Sequence, residues 1–205
     1  MKKTFFQKSY NLISSLLFVG LISFILSFAF NLLVKLFGDF DIPSLNSFII
    51  IIQNKLILLG SYTSQIATIL VLVAVSLIIV ELTQRMINDS ILNYFKSVYQ
   101  TIRLRQFLRQ DDKSESAITI DNQTTITKFN PILKNFNQTV GKATVDVRKS
   151  TVVVFLKYPR TQQAQKLLRD MEAHIKEEIS SRNPNQYFSS PNREGNKLWF
   201  KATRR

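Results

Sequence analysis

The sequence has no cysteine, a single histidine (His174) and only five glycines among its 205 residues. Without cysteine the chain can form neither a disulfide nor a thiolate metal site, and one histidine supplies too few ligands for most transition-metal centres. No Gly-x-x-x-x-Gly-Lys-Ser/Thr loop is present, which excludes the usual phosphate cradle of ATPases and GTPases. The composition therefore predicts a protein that is not an enzyme, with no catalytic residue, no metal and no cofactor.

Charge is scarce in the first third of the chain, where long apolar runs occur. A helix needs about 20 apolar residues to cross a hydrocarbon core of roughly 30 Å. Residues 11–37 reach that length with Lys35 as their one charge, and residues 61–82 reach it with Glu81 near their end. We expect both runs to be transmembrane helices of an anchor that covers residues 1–84.

The stretch at residues 44–60 is harder to place. Its apolar part, residues 48–59, is too short to span a bilayer and contains Gln53 and Asn54. It is either an interfacial or re-entrant helix, or an extension of the second span. Because Gln and Asn side chains in lipid seek hydrogen-bond partners on neighbouring helices, Gln53 and Asn54 are candidate contacts of a homo-oligomer.

Orientation follows from the charges that flank the two runs. Lys2, Lys3 and Lys8 precede the first run, and a series of basic residues follows the second. Positive charge on short flanks marks the cytoplasmic side of a membrane. The sequence therefore predicts a multi-pass protein of the cell (inner) membrane with both termini in the cytoplasm.

Residues 85–109 contain no glycine or proline, and apolar residues recur there every three or four positions. This spacing predicts an amphipathic basic helix that continues the second span. Its apolar positions, which are candidate oligomer contacts, are Ile87, Ile91, Phe95 and Ile102. Its basic positions, which are candidate lipid or phosphate contacts, are Lys96, Arg103, Arg105 and Arg109. Anionic headgroups attract such cations by about 1 kcal/mol each, and a surface for a partner helix is the alternative.

Residues 110–116 are polar and unpatterned, and they form a predicted linker to a cytoplasmic α+β domain at 117–205. Asn130-Pro131 is a helix start signal, because Asn caps free amides and Pro is tolerated at the first helical position. The expected elements are a strand pair at 118–127, this short helix, strands at 143–148 and 151–158, a helix at 162–182 and a final hairpin. That order predicts a mainly antiparallel sheet with two helices on one face.

The predicted cytoplasmic part is strongly basic, with 22 Lys and Arg against 11 Asp and Glu between Arg85 and Arg205. Such a field attracts phosphate or carboxylate groups. The candidate contacts for nucleic acid or an acidic partner are Arg148, Lys149, Lys197, Trp199, Lys201, Arg204 and Arg205. Cations beside aromatic rings are typical of single-strand binding, by stacking and backbone neutralisation. Anionic lipid, nucleic acid and an acidic protein all stay open as targets.

A short basic start, two closely spaced spans and a basic cytoplasmic portion resemble the membrane-anchoring part of the type IV coupling proteins of bacterial conjugation. Those proteins carry an ATPase after their spans, whereas this chain has no nucleotide loop. The chain is therefore more similar to the small two-span partners that some Gram-positive conjugative systems encode separately. The resemblance covers the architecture of residues 1–109 and no specific motif. It implies a membrane scaffold that recruits a translocation ATPase, and the alternative is a membrane-tethered nucleic-acid-binding protein.

Overall fold

The computed structural model describes residues 1–38, 46–111 and 130–204. Three helices come first: α1 (Phe5–Gly38), α2 (Asn46–Asn88) and α3 (Ile91–Leu108). The later elements are α4 (Pro131–Val140), β1 (Thr144–Val147), β2 (Thr151–Lys157), α5 (Gln162–Asp170), α6 (Glu172–Arg182), β3 (Gln186–Phe188), β4 (Asn192–Glu194) and β5 (Lys197–Arg204). The chain divides into a helical unit, Ser9–Glu81, and an α+β unit, which combines Met1–Lys8 with the chain from Leu82 onward.

The two first helices are long and apolar enough to cross a membrane. With 34 and 43 residues, α1 and α2 exceed what a span requires. At 1.5 Å per residue they extend for roughly 50 Å and 65 Å. From Asn46 onward, the stretch that could have been re-entrant belongs to α2 without interruption. It is therefore an extension of the second helix, and residues 39–45 lie outside the described residues.

Within the helical unit, α1 and α2 run antiparallel and approach closely through small residues. The Ser27 hydroxyl donates to the Gly60 carbonyl at 2.9 Å, and a Cβ placed on Gly20 would lie 3.2 Å from Val71 Cγ2. Buried positions recur every seven residues on each helix, at Ile13, Gly20 and Ser27 and at Gly60, Ala67 and Ala74. Seven-residue spacing with small side chains lets two helix backbones pack tightly, as in many membrane helix pairs.

A break separates α2 from α3, so the expected continuous helix over 85–109 is wrong. Ser90 has extended backbone angles (φ −137°, ψ 138°), which interrupt the helical hydrogen bonds. The preceding Asp89 side chain accepts from the Asn93 amide group at 2.8 Å and from the Lys149 backbone amide at 2.9 Å. The carboxylate of Asp89 thereby ties the break to the turn that follows β1.

The α+β unit contains an antiparallel sheet in the order β1-β2-β5-β3, with β4 also paired to β5. The expected central position of β2 is confirmed, since β2 lies between β1 and β5. Its Val154 pairs with Val145 of β1 and with Phe200 of β5. Side chains alternate between the two faces of β2 and β5. The residues that this alternation buries in one core are Val152, Val154, Leu156, Leu198 and Phe200. The expected antiparallel hairpin of β3 and β5 is also present.

More helices cover this core than the two that the sequence pattern predicts. The segment 162–182 is divided at Met171 into α5 and α6, although the Met171 amide still donates to Leu167 and its carbonyl accepts from Ile175. The helix α3 also contributes Leu104 and Leu108 to the core. The helix α4 starts at Pro131 and is capped by Asn130 as expected, since the Asn130 side chain accepts from the Ile132 and Leu133 amides. The strand pair predicted at 118–127 lies outside the described residues.

The outer edge of β1 is covered by α3, which supplies hydrogen bonds in place of another strand. Side chains at every fourth position of α3 meet every second residue of the strand. Ser97 accepts from the Val147 amide at 2.9 Å, and Thr101 accepts from the Val145 amide at 3.0 Å. Four helical residues rise about 6 Å and two strand residues about 6.6 Å, so the two spacings nearly match. An open sheet edge is thereby satisfied by hydroxyl groups.

The first residues of the chain lie across the face of the sheet opposite the core. The Gln7 side-chain amide donates to the Val153 carbonyl at 3.1 Å, and the Lys3 ammonium lies 3.7 Å from the centre of the Phe155 ring. Phe6 is 1% exposed and packs edge-on against Tyr94, with ring centres 5.9 Å apart. The segment Met1–Lys8 is thus part of the α+β unit, although the sequence pattern assigns it to the anchor.

Candidate functional site

A basic groove of about 670 Å³ opens beside α3 in the α+β unit. We define it by its charged lining residues, which are Lys96, Arg148, Lys149, Arg182 and Arg204. The other lining residues are polar or apolar, and none of the described residues that line the groove is an aspartate or glutamate. Five cations in one concave surface without an acid create a focused positive potential. The basic groove is suited to bind an anion.

The turn between β1 and β2 positions two of the five cations. The Arg148 amide donates to the Thr151 carbonyl at 2.8 Å, which closes the turn. The next amide, on Lys149, donates to Asp89, which lies in the break between α2 and α3. The Lys149 side chain is exposed and Arg148 is half-buried, so the turn projects both cations along the groove. Arg148 and Lys149 could be predicted as candidate contacts from the sequence, because they are adjacent cations at a predicted tight turn between two strands.

A buried pair of amide side chains joins α3 to the end of α6 beneath the groove. Gln100 and Asn183 exchange two hydrogen bonds of 3.0 Å, and Asn183 also donates to the Ile179 carbonyl at 2.8 Å. Both residues are 8% exposed. These bonds fix the position of Arg182, the last residue of α6, at the groove wall. Sequence reasoning missed Arg182, because an arginine in a last helical turn is an ordinary complement to the helix dipole.

The five cations differ in how far their charge is already neutralised. The Nε atom of Arg148 lies 3.1 Å from the Asp146 carboxylate, and Arg182 pairs with Glu178 one turn earlier. The hydrogen bond that Arg182 donates to Glu178 raises the pKa of Arg182. Lys96, Lys149 and Arg204 form no ion pair with any residue that the structure describes. These three free cations are available to an incoming anion.

Beneath the turn, Arg85 is a buried arginine that anchors the groove wall. Its guanidinium donates to Asp146 at 2.6 Å and to the Val147 carbonyl at 3.1 Å, and it is 0% exposed. Asp146 therefore bridges two arginines, one buried and one at the groove. Because a buried ion pair is held by hydrogen bonds as well as by charge, this network fixes the end of β1.

Tyr99 is the one aromatic residue among the described lining residues of the groove. Its phenol oxygen accepts from the Nε atom of Arg103 at 3.2 Å, and this hydrogen bond lowers the pKa of Tyr99. The Arg103 guanidinium also lies 5.4 Å from the centre of the Tyr99 ring. The pair extends the positive surface beyond the groove along α3.

The structure does not bring the predicted cations of β5 together. Side chains alternate along the strand, so Lys197, Trp199 and Lys201 lie on the face opposite the core, whereas Arg204 lines the basic groove. Trp199 is 1% exposed and packs against Phe155, with ring centres 4.8 Å apart. The interpretation of Trp199 as a stacking contact for nucleic acid is therefore wrong, because its ring is inaccessible. Arg205 lies outside the described residues.

A second, smaller group of cations occupies the face opposite the core. Lys157 and Lys197 are direct partners in the register of β2 and β5. Burial lowers the pKa of Lys3, and the nearby charges of Lys197 and Lys157 lower it further. Like charges in such proximity repel each other, and an anion bound between them would relieve the repulsion. Lys201 is exposed further along β5.

The predicted contacts on α3 separate into free and engaged side chains. Arg103 and Arg109 are exposed, but the Nε atom of half-buried Arg105 donates to the Ala143 carbonyl at 2.8 Å. Arg105 therefore continues the hydrogen bonding of α3 to the β1 edge, and its role as a lipid contact stays a prediction. Arg109 lines a shallow hollow of about 340 Å³ between α3 and α4.

The predicted oligomer contacts are accessible in the structure. Ile87, Ile91, Phe95 and Ile102 are all exposed, by 77%, 39%, 61% and 45%. On α2, Asn54 is exposed and Gln53 is half-buried. Their role in self-association stays a prediction.

No group of three or more His, Asp and Glu residues that could hold a metal ion occurs in the part of the chain that the structure describes. In comparisons with known proteins, no family model, no curated protein and no solved structure matches this chain.

Proposed function

We propose that this protein is a non-enzymatic membrane scaffold whose α+β unit recruits an acidic segment of a cytoplasmic protein partner through the basic groove. The observation that carries the proposal is the groove itself, where five cations converge and no described lining residue is acidic. Its walls are held by backbone and buried side-chain hydrogen bonds, so the backbone that carries the cations is already in place before an anion binds. Preorganised charge raises both specificity and association rate.

The two long apolar helices support the membrane part of the proposal. Large apolar side chains cover their outer surfaces, with Phe18, Phe28 and Leu72 exposed by 64%, 69% and 62%. Soluble proteins rarely expose continuous apolar surface on this scale, whereas a bilayer would cover it. By the positive-inside rule, the basic flanks favour a cytoplasmic position for both termini. The α+β unit then faces the cytoplasm, where a partner protein is accessible.

A protein partner fits the groove better than nucleic acid does. Single-strand binding relies on aromatic rings on which successive bases stack. Trp199 and Phe155 are buried, and Tyr99 is the single aromatic side chain that the described groove lining offers. Guanidinium groups, in contrast, bind carboxylates bidentately and are frequent hot spots of protein interfaces. An acidic peptide segment therefore accounts for the lining, and a nucleic-acid tether is the outcome to be tested against it.

The resemblance to the anchors of coupling proteins indicates which partner to test first. A translocation ATPase of a conjugative or secretion machine would supply the nucleotide chemistry that this chain lacks. An oligomeric scaffold, assembled through α2, would present several copies of the basic groove to such an ATPase.

The proposal is tested with variants of the full chain in which selected cations are replaced by uncharged glutamine. Each variant is reconstituted in nanodiscs of neutral lipid. The first variant is Lys96→Gln, Lys149→Gln, Arg204→Gln, which removes the three free groove cations. The control variant is Arg160→Gln, Lys166→Gln, Arg169→Gln, which removes three exposed cations outside the groove. The probes are a fluorescent Glu-rich peptide and a single-stranded DNA homopolymer, each titrated over a range of salt concentrations.

We expect the peptide to bind the wild-type chain and the control variant alike, and to bind the groove variant about 3- to 150-fold more weakly. That range follows from about 0.2–1 kcal/mol for each exposed ion pair. Peptide binding that is equal in both variants would contradict the groove assignment. Tighter binding of DNA than of peptide, lost in the groove variant with a smaller salt slope, would establish the nucleic-acid tether instead.

A further inference from the structure

The helix α3 has an unusual distribution of side chains, because its buried face is polar up to Thr101, with Leu104 and Leu108 buried only in its last turns, and its outward face is apolar. Ser97, Gln100 and Thr101 are buried against the α+β unit, where they form hydrogen bonds. The exposed apolar residues, which we call the outer stripe, are Ile91, Leu92, Phe95, Tyr99 and Ile102. Their exposed fractions are 39%, 70%, 61%, 52% and 45%. A soluble helix normally has the opposite arrangement.

The outer stripe is a single continuous surface. At about 100° per residue, its five side chains fall within an arc of roughly 100°, centred opposite the buried face. Lys96 and Arg103 project at one border of this arc, about 20–40° beyond Leu92. Both cations are exposed, and Arg103 rests against Tyr99. The stripe extends over most of α3, whose 18 residues measure about 27 Å.

We propose that the outer stripe of α3 lies in the interface of the bilayer, parallel to the membrane surface. Its apolar side chains enter the boundary between headgroups and acyl chains, and Lys96 and Arg103 bind the phosphates of anionic lipids. An apolar arc with aromatic residues and bordering cations is the pattern of interfacial helices. The ligand is therefore an anionic phospholipid surface, which adjoins the basic groove along one edge because Leu92, Lys96 and Tyr99 also line the groove.

Two observations favour a bilayer over a second copy of the chain. First, α3 begins only two residues after α2, a helix long enough to cross a membrane, so the stripe is tethered close to lipid. Second, its border carries cations without acids, since Lys96 and Arg103 form no ion pair with a described residue. Two copies that met through this stripe would bring like charges together, whereas anionic headgroups are complementary to them.

The proposal rests on the membrane position of α2, which belongs to the proposed function, so its test includes a reporter for that position. Single cysteines are introduced in the full chain at Phe95 and at Ile102 in the stripe, at Leu72 on α2, and at Ala173, which is exposed on α6. The native chain has no cysteine, so each variant carries one label. Each is labelled with an environment-sensitive fluorophore and reconstituted in vesicles of equal parts phosphatidylcholine and phosphatidylglycerol.

We expect labels at Phe95, Ile102 and Leu72 to shift to shorter wavelength and to be quenched by lipid-borne nitroxides. The fluorescence of the label at position 173 should instead be quenched by iodide in the aqueous phase. Replacing Lys96 and Arg103 by Gln should lower the ratio of docked to undocked stripe roughly fivefold for each cation. The same reduction is expected for the wild-type stripe in vesicles of phosphatidylcholine alone.

The alternative outcomes separate the two proposals. Lipid quenching at Leu72 together with iodide quenching at Phe95 and Ile102 would overturn the interfacial position of α3 and leave the anchor intact. Iodide quenching at Leu72 as well would overturn the anchor. Disulfide crosslinking between copies through the cysteine at position 95, without lipid quenching, would assign the stripe to self-association and also overturn the proposal.

Discussion

The hydroxyl of Thr101 offers a sharp test of how α3 closes the sheet. It accepts from the Val145 amide at 3.0 Å and lies 3.3 Å from the Val145 carbonyl, and Thr101 is 0% exposed. Thr101→Val keeps the shape of the side chain and removes its hydrogen-bonding atom. The Val145 amide points away from β2, so the sheet provides no substitute partner on that side.

The expected cost follows from the burial of the amide that would lose its partner. A buried donor without an acceptor costs about 1–3 kcal/mol, and the long contact to the carbonyl adds less. A loss of 1.4 kcal/mol corresponds to a factor of about ten in an opening equilibrium. We therefore expect the hydrogen-exchange protection of β1 to fall about 5- to 150-fold, measured by mass spectrometry on the full chain in detergent micelles.

Two companion variants make the test decisive. Thr101→Ser retains the hydroxyl and should retain most of the protection. Thr139→Val removes a hydroxyl that donates to the Asn135 carbonyl at 2.8 Å within α4, and this carbonyl keeps its acceptor role in the helix. Equal protection of β1 in Thr101→Val and wild type would refute the edge pairing, as would an equal loss in Thr139→Val.

Two further predictions concern the α+β unit and the helix pair. Burial is the main cause that raises the pKa of Tyr158 from 10.0 to about 12, and the hydrogen bond to Glu172 is the second. The stability that this phenol contributes is therefore complete below pH 10 and is lost as the pH rises towards 12. Tyr158→Phe should remove this alkaline phase from thermal unfolding curves, with tyrosinate absorbance as the direct readout. In the helical unit, Gly20→Leu should separate α1 from α2, because even a Cβ at position 20 would lie 3.2 Å from Val71 Cγ2. Crosslinking between cysteines introduced on the two helices should therefore decrease.

Each of these two predictions has a matched control. Tyr187 is 63% exposed, so Tyr187→Phe should leave the alkaline phase in place. Leu21 is 58% exposed, so Leu21→Met should leave the crosslinking yield unchanged. An alkaline phase that persists in Tyr158→Phe, or a full crosslinking yield in Gly20→Leu, would show that the corresponding contact is unimportant.

Much of the α+β fold could be predicted because its signals are local. The cap at Asn130, the paired strands β1 and β2 and the hairpin of β3 with β5 each follow from neighbouring residues. The long apolar runs also predict two helices of sufficient length for a membrane. These features depend on periodicity and capping, which a sequence displays directly.

The role of α3 could not be predicted in the same way, because periodicity assumes that the apolar face of a helix is the buried one. The strand edge requires hydrogen bonds, so the polar side chains Ser97, Thr101 and Arg105 are turned inward. That requirement arises from β1, some forty residues further along the chain. The basic groove has the same origin, since Arg182 and Arg204 reach it only through the tertiary fold.

The most direct test of the account is the accessibility of the α+β unit in intact cells that express the full chain. A cysteine at Ala173, exposed on α6, is compared with a cysteine at Ser44 in the segment between the two long helices. With an impermeant thiol reagent added from outside, the account predicts labelling at Ser44 and none at Ala173 until the cells are permeabilised. Labelling at Ala173 in intact cells would contradict it, because the basic groove would then face away from any cytoplasmic partner.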